Sequence, residues 1–170
     1  IILATAQGMA ICFNESDVRC MGRDAAGVRG ISLNEGDFVV GAEKVEEGKT
    51  LLTVTENGYG KRTALPEYLR TGPDGEKIPQ SRGGKGLKNY NITTKTGNIA
   101  GCRVVGDNDD VMLIENGGVI IRIPAASINV YKRDVQGVIV MRIDDGNKVV
   151  SIERVERDEM DVQETQENQE

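Results

Sequence analysis

The chain of 170 residues contains no histidine and no tryptophan, and only 4% of it is aromatic. Without histidine, Ser-His-Asp and Cys-His nucleophile systems and histidine-ligated metals are excluded from these residues. A phosphate-binding loop of the Walker type is missing as well. Gly83-Gly84-Lys85-Gly86 lacks the leading glycine spacing and the Ser/Thr after the lysine, and Val28 stands where Gly22 and Gly27 would require a lysine. The scarcity of aromatics makes base stacking an unexpected mode of recognition. Cys12, Cys20 and Cys102 are odd in number and form no C-x-x-C pair, which fits reduced thiols in a cytoplasmic compartment. No signal-peptide pattern and no apolar run of membrane-spanning length occurs, so neither secretion nor insertion is expected. Asp107-Asn108-Asp109-Asp110 resembles the start of a calcium loop but lacks the later Gly and Glu; it reads as a polar turn. No catalytic site, metal or cofactor is expected in this stretch of chain.

Long helical periodicity is also lacking. Glu15–Cys20, Pro66–Leu69 and Ala125–Ile128 read as single turns, with Pro66 and Pro124 suited to a first helical position. What the chain does have is a phrase used three times. A β-rich run ends in Gln7-Gly8, Asn57-Gly58 or Asn116-Gly117-Gly118, and a second apolar run follows: Met9–Phe13, Tyr59–Thr63, Val119–Ile123. Such glycine turns between apolar runs are hairpin signals. Each hairpin leads to Arg-x-x-x-Gly and an aliphatic residue: Arg23 to Gly27-Val28, Arg82 to Gly86-Leu87, Arg133 to Gly137-Val138. The arginines lie 59 and then 51 residues apart, and the longer interval carries a polar insertion at Thr71–Pro79. A second hairpin is expected after each arginine element: Val28–Leu33 with Phe38–Val45, Leu87–Thr93 with Ile99–Val105, and Val138–Ile143 with Lys148–Val155. Two hairpins make four strands, one blade of a propeller-like fold. The expectation is an all-β chain of three four-stranded antiparallel blades, over residues 1–50, 51–110 and 111–157, followed by an acidic tail at 158–170. Three blades do not usually close a ring. Ile1, with no initiator Met, falls inside a strand, so the chain is expected to be a fragment that stands alone, associates with itself or requires further blades.

The net charge of −6 is unevenly placed. Residues 151–170 hold eight acidic and two basic residues, and residues 1–150 hold 19 of each sign. Within that body, residues 51–103 carry nine Lys/Arg against four Asp/Glu. The middle copy is thus a basic patch suited to a polyanion, and the tail has too little apolar content to fold. Arg82 and Lys85, set among Gly83, Gly84 and Gly86, could cradle phosphate oxygens, or could serve a tight connection between blades. Lys61, Arg62 and Lys88 favour the first reading. For Arg23 and Arg133, each followed by Asp, the structural reading is favoured. Tyr59, Tyr68 and Tyr90 are expected in the core or between blades.

These residues carry a resemblance. Gln80-Ser81-Arg82-Gly83-Gly84-Lys85-Gly86 resembles the Q-R-R-G-G-K-G box of the DNA gyrase A C-terminal domain. Asn57-Gly58-Tyr59-Gly60-Lys61-Arg62-Thr63 with Pro66-Glu67-Tyr68 resembles the blade opening of the same family, N-G-x-x-K-R-T-x-x-x-E-Y. The resemblance spans residues 1 to about 158. It implies a β-pinwheel, a six-bladed disc whose blades exchange strands and whose basic rim wraps double-stranded DNA without reading sequence, in support of negative supercoiling. It implies the remainder of gyrase A and gyrase B as partners, a cytoplasmic location and no membrane, with cleavage and ATP hydrolysis elsewhere in the parent topoisomerase. Matched to the family pattern, Arg82, Gly83, Gly84, Lys85 and Gly86 belong to the box, and Lys61 and Arg62 to the basic pair of the second strand. With Lys88 they form the expected DNA-binding set on one outer face. Ser81 departs from the box, replacing its first arginine. The order of copies resembles the last three blades of the disc. The topoisomerase IV counterpart, with more degenerate blades, and a protein-interaction propeller without DNA binding are the alternatives. The acidic tail is expected to compete with DNA for the basic face.

Overall fold

A computed structural model describes residues 1–157. The expectation of an acidic tail at 158–170 lies outside the described residues. Every unit is built on the same hairpin. Strands β1 (Ile2–Thr5) and β2 (Met9–Cys12) pair antiparallel with Leu3 opposite Ile11. Strands β4 (Thr50–Thr55) and β5 (Tyr59–Ala64) do the same with Thr53 opposite Lys61. Strands β10 (Asp109–Glu115) and β11 (Ile120–Pro124) form the third, with Leu113 opposite Ile121. The turns close by equivalent hydrogen bonds: the Gly8, Gly58 and Gly118 amides donate to Thr5, Thr55 and Glu115 carbonyls at 3.0–3.1 Å. In the first two the threonine hydroxyl also accepts the amide of the next strand, from Met9 and from Tyr59, at 3.2 Å.

A third strand flanks the first of each hairpin: β3 (Val39–Glu43) on β1, β9 (Ile99–Val105) on β4, and β13 (Val149–Glu156) on β10. All three ladders shift register at the same place, between Ala4 and Thr5, Val54 and Thr55, and Ile114 and Glu115. Such a bulge bends and twists a strand, and here it lets the end of each hairpin lean toward the next unit. The Ala6 carbonyl accepts the Ile99 amide at 2.9 Å, and the Glu56 carbonyl accepts the Val149 amide at 2.8 Å.

The fourth strand comes from elsewhere. Leu87–Lys88 (β8), from the middle unit, pairs with β2 of the first; Val138–Ile139 (β12), from the third, pairs with β5 of the second. The expected second hairpin within each unit is therefore not formed. The segments after the second and third Arg-x-x-x-Gly elements leave their own units and complete the preceding ones. The sheets run β3-β1-β2-β8 and β12-β5-β4-β9, and the third has three strands, β11-β10-β13, among the described residues. The all-β pinwheel architecture is as expected, with strand exchange as its connecting device. The Thr71–Pro79 insertion holds a small exposed hairpin, β6 (Arg70–Thr71) with β7 (Lys77–Ile78). Three single turns of 3-10 helix occur at Glu15–Asp17, Leu65–Tyr68 and Ala125–Ser127, where single turns were expected.

The core lies between the sheets. Ile2, Ala4, Ala10 and Cys12 of the first sheet meet Leu51, Tyr68, Cys102 and Val104. Leu52, Val54 and Val105 of the second meet Val111, Leu113, Val149 and Ile152 of the third. Adjacent residues of the central strand β4 thus point to opposite neighbours, Leu51 to the first sheet and Leu52 to the third. Three matching residues of the exchanged segments, Ile31, Tyr90 and Met141, are also buried.

The glycine that precedes each exchanged strand has no room for a side chain. A Cβ at Gly86, where φ is +76°, would lie 2.3 Å from the Ala10 carbonyl oxygen; at Gly137, with φ +74°, it would lie 2.5 Å from that of Gly60. Gly27, the matching residue of the first unit, has the same backbone conformation, at +79°, but nothing within 4 Å. Gly86→Ala and Gly137→Ala should each cost more than the about 1–2 kcal/mol of left-handed strain expected for Gly27→Ala, because the clash with backbone adds to it. Denaturant midpoints of the three variants measure the difference.

Candidate nucleic-acid interface

The basic residues singled out by sequence divide into two groups once folded. Lys85 and Lys88, on either side of Gly86, are exposed. Lys85 makes no ion pair with any described residue, and the Lys88 ammonium donates only to Asn91 Oδ1, at 3.0 Å. Arg82 is half-buried, and its guanidinium is committed to backbone: Nε donates to the Asp17 carbonyl at 3.0 Å and Nη1 to that of Arg29 at 2.5 Å. The box itself is stitched to the first unit. Gly83 donates to the Gly30 carbonyl at 2.8 Å, and Ser32 donates through its amide to Gly84 and its hydroxyl to Gly83. The glycines of the box are thus held against the neighbouring unit, with Gly84 at its exposed edge.

Lys61 and Arg62 do not share the outer face expected of them. Lys61 is fully buried, and Arg62 is 6% exposed. The Lys61 ammonium donates to the Lys132 carbonyl at 2.7 Å and the Arg133 carbonyl at 2.5 Å, and lies 5.2 Å from the centre of the Tyr90 ring. Arg62 Nε donates to the Ile128 carbonyl at 2.7 Å, while Nη1 meets Asp107. Both therefore fasten the segment 128–133 that leads into β12. The physical reason is that the segment arriving from the third unit pairs along β5 at Arg62, through the Arg62 amide to the Asn129 carbonyl and the Tyr131 amide to the Arg62 carbonyl, so that its carbonyls meet both side chains. Sequence periodicity within one unit carries no signal of that pairing.

The carboxylates of the Asp107–Asp110 turn are likewise occupied by arginines. Asp107 meets Arg62, Asp109 meets Arg154 at 3.0 Å, and Asp110 meets Arg122 at 2.8 Å and Arg157 at 2.5 Å. Among the described residues no group of three potential ligands is placed to hold a metal. A residue the charge count passed over completes the exposed set. Arg29 is exposed, and its backbone carbonyl is pinned by Arg82. Its membership was hidden because it sits 59 residues before Lys88, in another unit, at the equivalent position.

Four-stranded antiparallel sheets linked by exchanged strands, with a glycine-rich basic box at the exchange, define a β-pinwheel. The family described as DNA gyrase C-terminal domain, beta-propeller, matches residues 1–46, 49–78, 76–105 and 109–156. The chain belongs to that family. It is 43% identical over 157 residues to the DNA gyrase A protein of Staphylococcus epidermidis, covering 91% of this chain and 17% of that protein. It is 40% identical over 155 residues to the DNA gyrase A protein of Haloquadratum walsbyi, with 90% and 17% covered. The chain thus spans under a fifth of the length of these relatives. Among solved structures, a DNA gyrase A C-terminal domain superposes with a TM-score of 0.80 at 30% identity, covering 91% of this chain and 50% of that one. The C-terminal domain of a DNA topoisomerase IV gives 0.80 at 28% identity, with 91% and 46% covered. Among the described residues no helix is long and apolar enough to cross a membrane.

Burial pulls the Lys61 pKa down to about 7. The unfolded chain keeps that proton up to the ordinary lysine range, so above pH 7 the unfolded state binds more protons than the folded one and stability rises with pH. The buried Cys12 and Cys102 thiols, the latter pushed up to about 12, act in the opposite direction above the ordinary thiol range. Between about pH 7 and 8.5 the unfolding free energy should therefore rise, by no more than about 1.4 kcal/mol per pH unit. Lys61→Met should flatten that slope. Urea denaturation at several pH values reads it.

Proposed function

We propose that this chain binds duplex DNA through its phosphates, without reading base sequence, as a DNA-wrapping part of a gyrase-type topoisomerase that supports negative supercoiling. The observation that carries the reading is the exposed cationic trio Arg29, Lys85 and Lys88, displayed along the edge where the middle unit crosses onto the first. The backbone beneath the trio is rigid, since Arg82, Gly83 and Gly84 are bonded to residues 29–32. Cations without committed carboxylate partners on a fixed edge suit a regular array of phosphates, which positions a duplex but supplies no base information. Family membership supports the same reading, and with it the rest of gyrase A and gyrase B as partners and a cytoplasmic setting. The glycines act here by allowing close packing of backbone, and Lys61, Arg62 and Arg82 act by holding the edge in shape.

Reversing charge with Arg29→Glu and Lys85→Glu should weaken binding equally for unrelated DNA sequences. It should also reduce the slope of log affinity against log salt by about two, close to one per lost phosphate contact. Fluorescence titrations at several salt concentrations measure it. Affinity without salt dependence in the unmodified chain would favour the protein-interaction scaffold instead.

A further inference from the structure

Two junctions between units are built by one arrangement. At the first, Arg82 Nη1 donates to the Arg29 carbonyl; at the second, Arg133 Nη1 donates to the Lys88 carbonyl at 2.8 Å. Arg29 and Lys88 are equivalent, each standing two residues after the glycine of its own arginine element. A backbone bond accompanies each latch. The Ser32 amide donates to the Gly84 carbonyl at 2.9 Å, and the Asn91 amide to the Val135 carbonyl at 3.4 Å. Each latch thus fastens an exposed cation of one unit to the arginine element of the next.

The first junction adds a second cation, Lys85, three residues after its latch arginine. At the second junction that position is Gln136. The lysine stands instead just before the latch arginine, at Lys132, where the first junction has Ser81. Lys132 is exposed, and among the described residues its ammonium meets no carboxylate. Glu67 lines the same shallow hollow as Lys132 without pairing with it. The backbone beneath is fixed. The buried Lys61 ammonium donates to the Lys132 carbonyl at 2.7 Å and to the Arg133 carbonyl at 2.5 Å. The Tyr131 amide donates to the Arg62 carbonyl at 2.8 Å, and the Arg62 amide to the Asn129 carbonyl at 3.1 Å. A lysine with its ammonium in water on a clamped backbone is a point charge suited to a phosphate oxygen, and binding costs it little further freedom.

We propose that Lys132 is a further phosphate-contacting residue, and that the junction between units, rather than the glycine box alone, is the element that grips a duplex. Arg29 and Lys85 act at the first junction, and Lys88 and Lys132 at the second. The inference rests on the reading of this chain as a DNA-binding protein and extends it to a junction whose arginine element has no lysine at the box position. Lys132 meets phosphate through charge and reads no base. Lys61 and Arg133 are positioning residues: their donors hold the carbonyls of Lys132, Arg133 and Lys88, and neither needs to touch DNA.

Salt titrations with duplexes of unrelated sequence test this. Lys132→Glu should weaken binding to all of them and lower the slope of log affinity against log salt by about one, and Lys132→Arg should keep both near their original values. Combining Lys85→Glu with Lys132→Glu should lower the slope by about two, since the two lie at different junctions. Lys44→Glu makes the same charge change beyond β3, at the opposite edge of the first sheet from β8, and should leave the slope as it was. In a Cys20→Ser background, Lys132→Cys carrying an aryl azide should photo-cross-link to the duplex, and Lys44→Cys so labelled should not. Circular dichroism should be the same for every variant. Salt-dependent binding that Lys85→Glu weakens and Lys132→Glu does not would overturn the second contact and leave the DNA-binding reading standing. Equal losses from Lys132→Glu and Lys44→Glu would reduce the effect to overall charge and overturn the contact as well. Binding indifferent to salt and to both reversals would overturn the contact and the reading together.

Discussion

The structure depends on one contact: two consecutive backbone amides of an incoming segment converge on the carbonyl of a turn glycine in the unit before it. Asn89 and Tyr90 do this to Gly8, and Val140 and Met141 do it to Gly58. The contact orients the segment so that two residues extend the sheet of one unit while the next side chain, Tyr90 or Met141, plugs the interior of its own. Each segment thus joins the sheet of the preceding unit while its chain continues into its own. Separating neighbouring units would therefore expose the core they share and break ladder bonds together.

Charge is used unusually within this arrangement. Arg82, Arg133 and Lys61 spend their donors on backbone carbonyls of neighbouring units rather than on carboxylates. A carbonyl at a crossover, where the ladder has ended, needs a donor, and a long cationic side chain can supply one across a distance backbone cannot span. Lys61 shows the cost. Its ammonium is removed from water, compensated by two carbonyls and an aromatic face, and its proton is held less tightly than in an exposed lysine. The Asp107–Asp110 turn works in the opposite sense, drawing Arg62, Arg122, Arg154 and Arg157 to the junction of the second and third units.

The consequence for function is a division of labour within a single motif. The box residues Arg82, Gly83 and Gly86 build the edge, and Lys85 and Lys88 are displayed by it. A rigid edge suits a polyanion because cations held at fixed spacing lose little further freedom on binding. Arg29 joins them only because the first unit's segment is clamped beneath the box.

The sequence by itself determined the hairpins, their glycine turns, the absence of long helices and the periodic arginine element, since each rests on local backbone preference and two-residue alternation. The resemblance of Gln80–Gly86 and Asn57–Thr63 to one family was legible for the same reason: those residues are fixed by local geometry that recurs wherever the motif does. Tertiary structure alone decided which unit each fourth strand completes. A segment such as Leu87–Thr93 satisfies the pattern of a hairpin with its own unit equally well, and the choice is made by the Gly8 carbonyl and the space at Gly86, 78 residues apart in the chain. That choice buried Lys61 and Arg62, left Lys85 and Lys88 in water and held the Arg29 backbone against the box. Burial is a property of what arrives from a distance, and a cation on a strand carries no mark of whether its face will be covered.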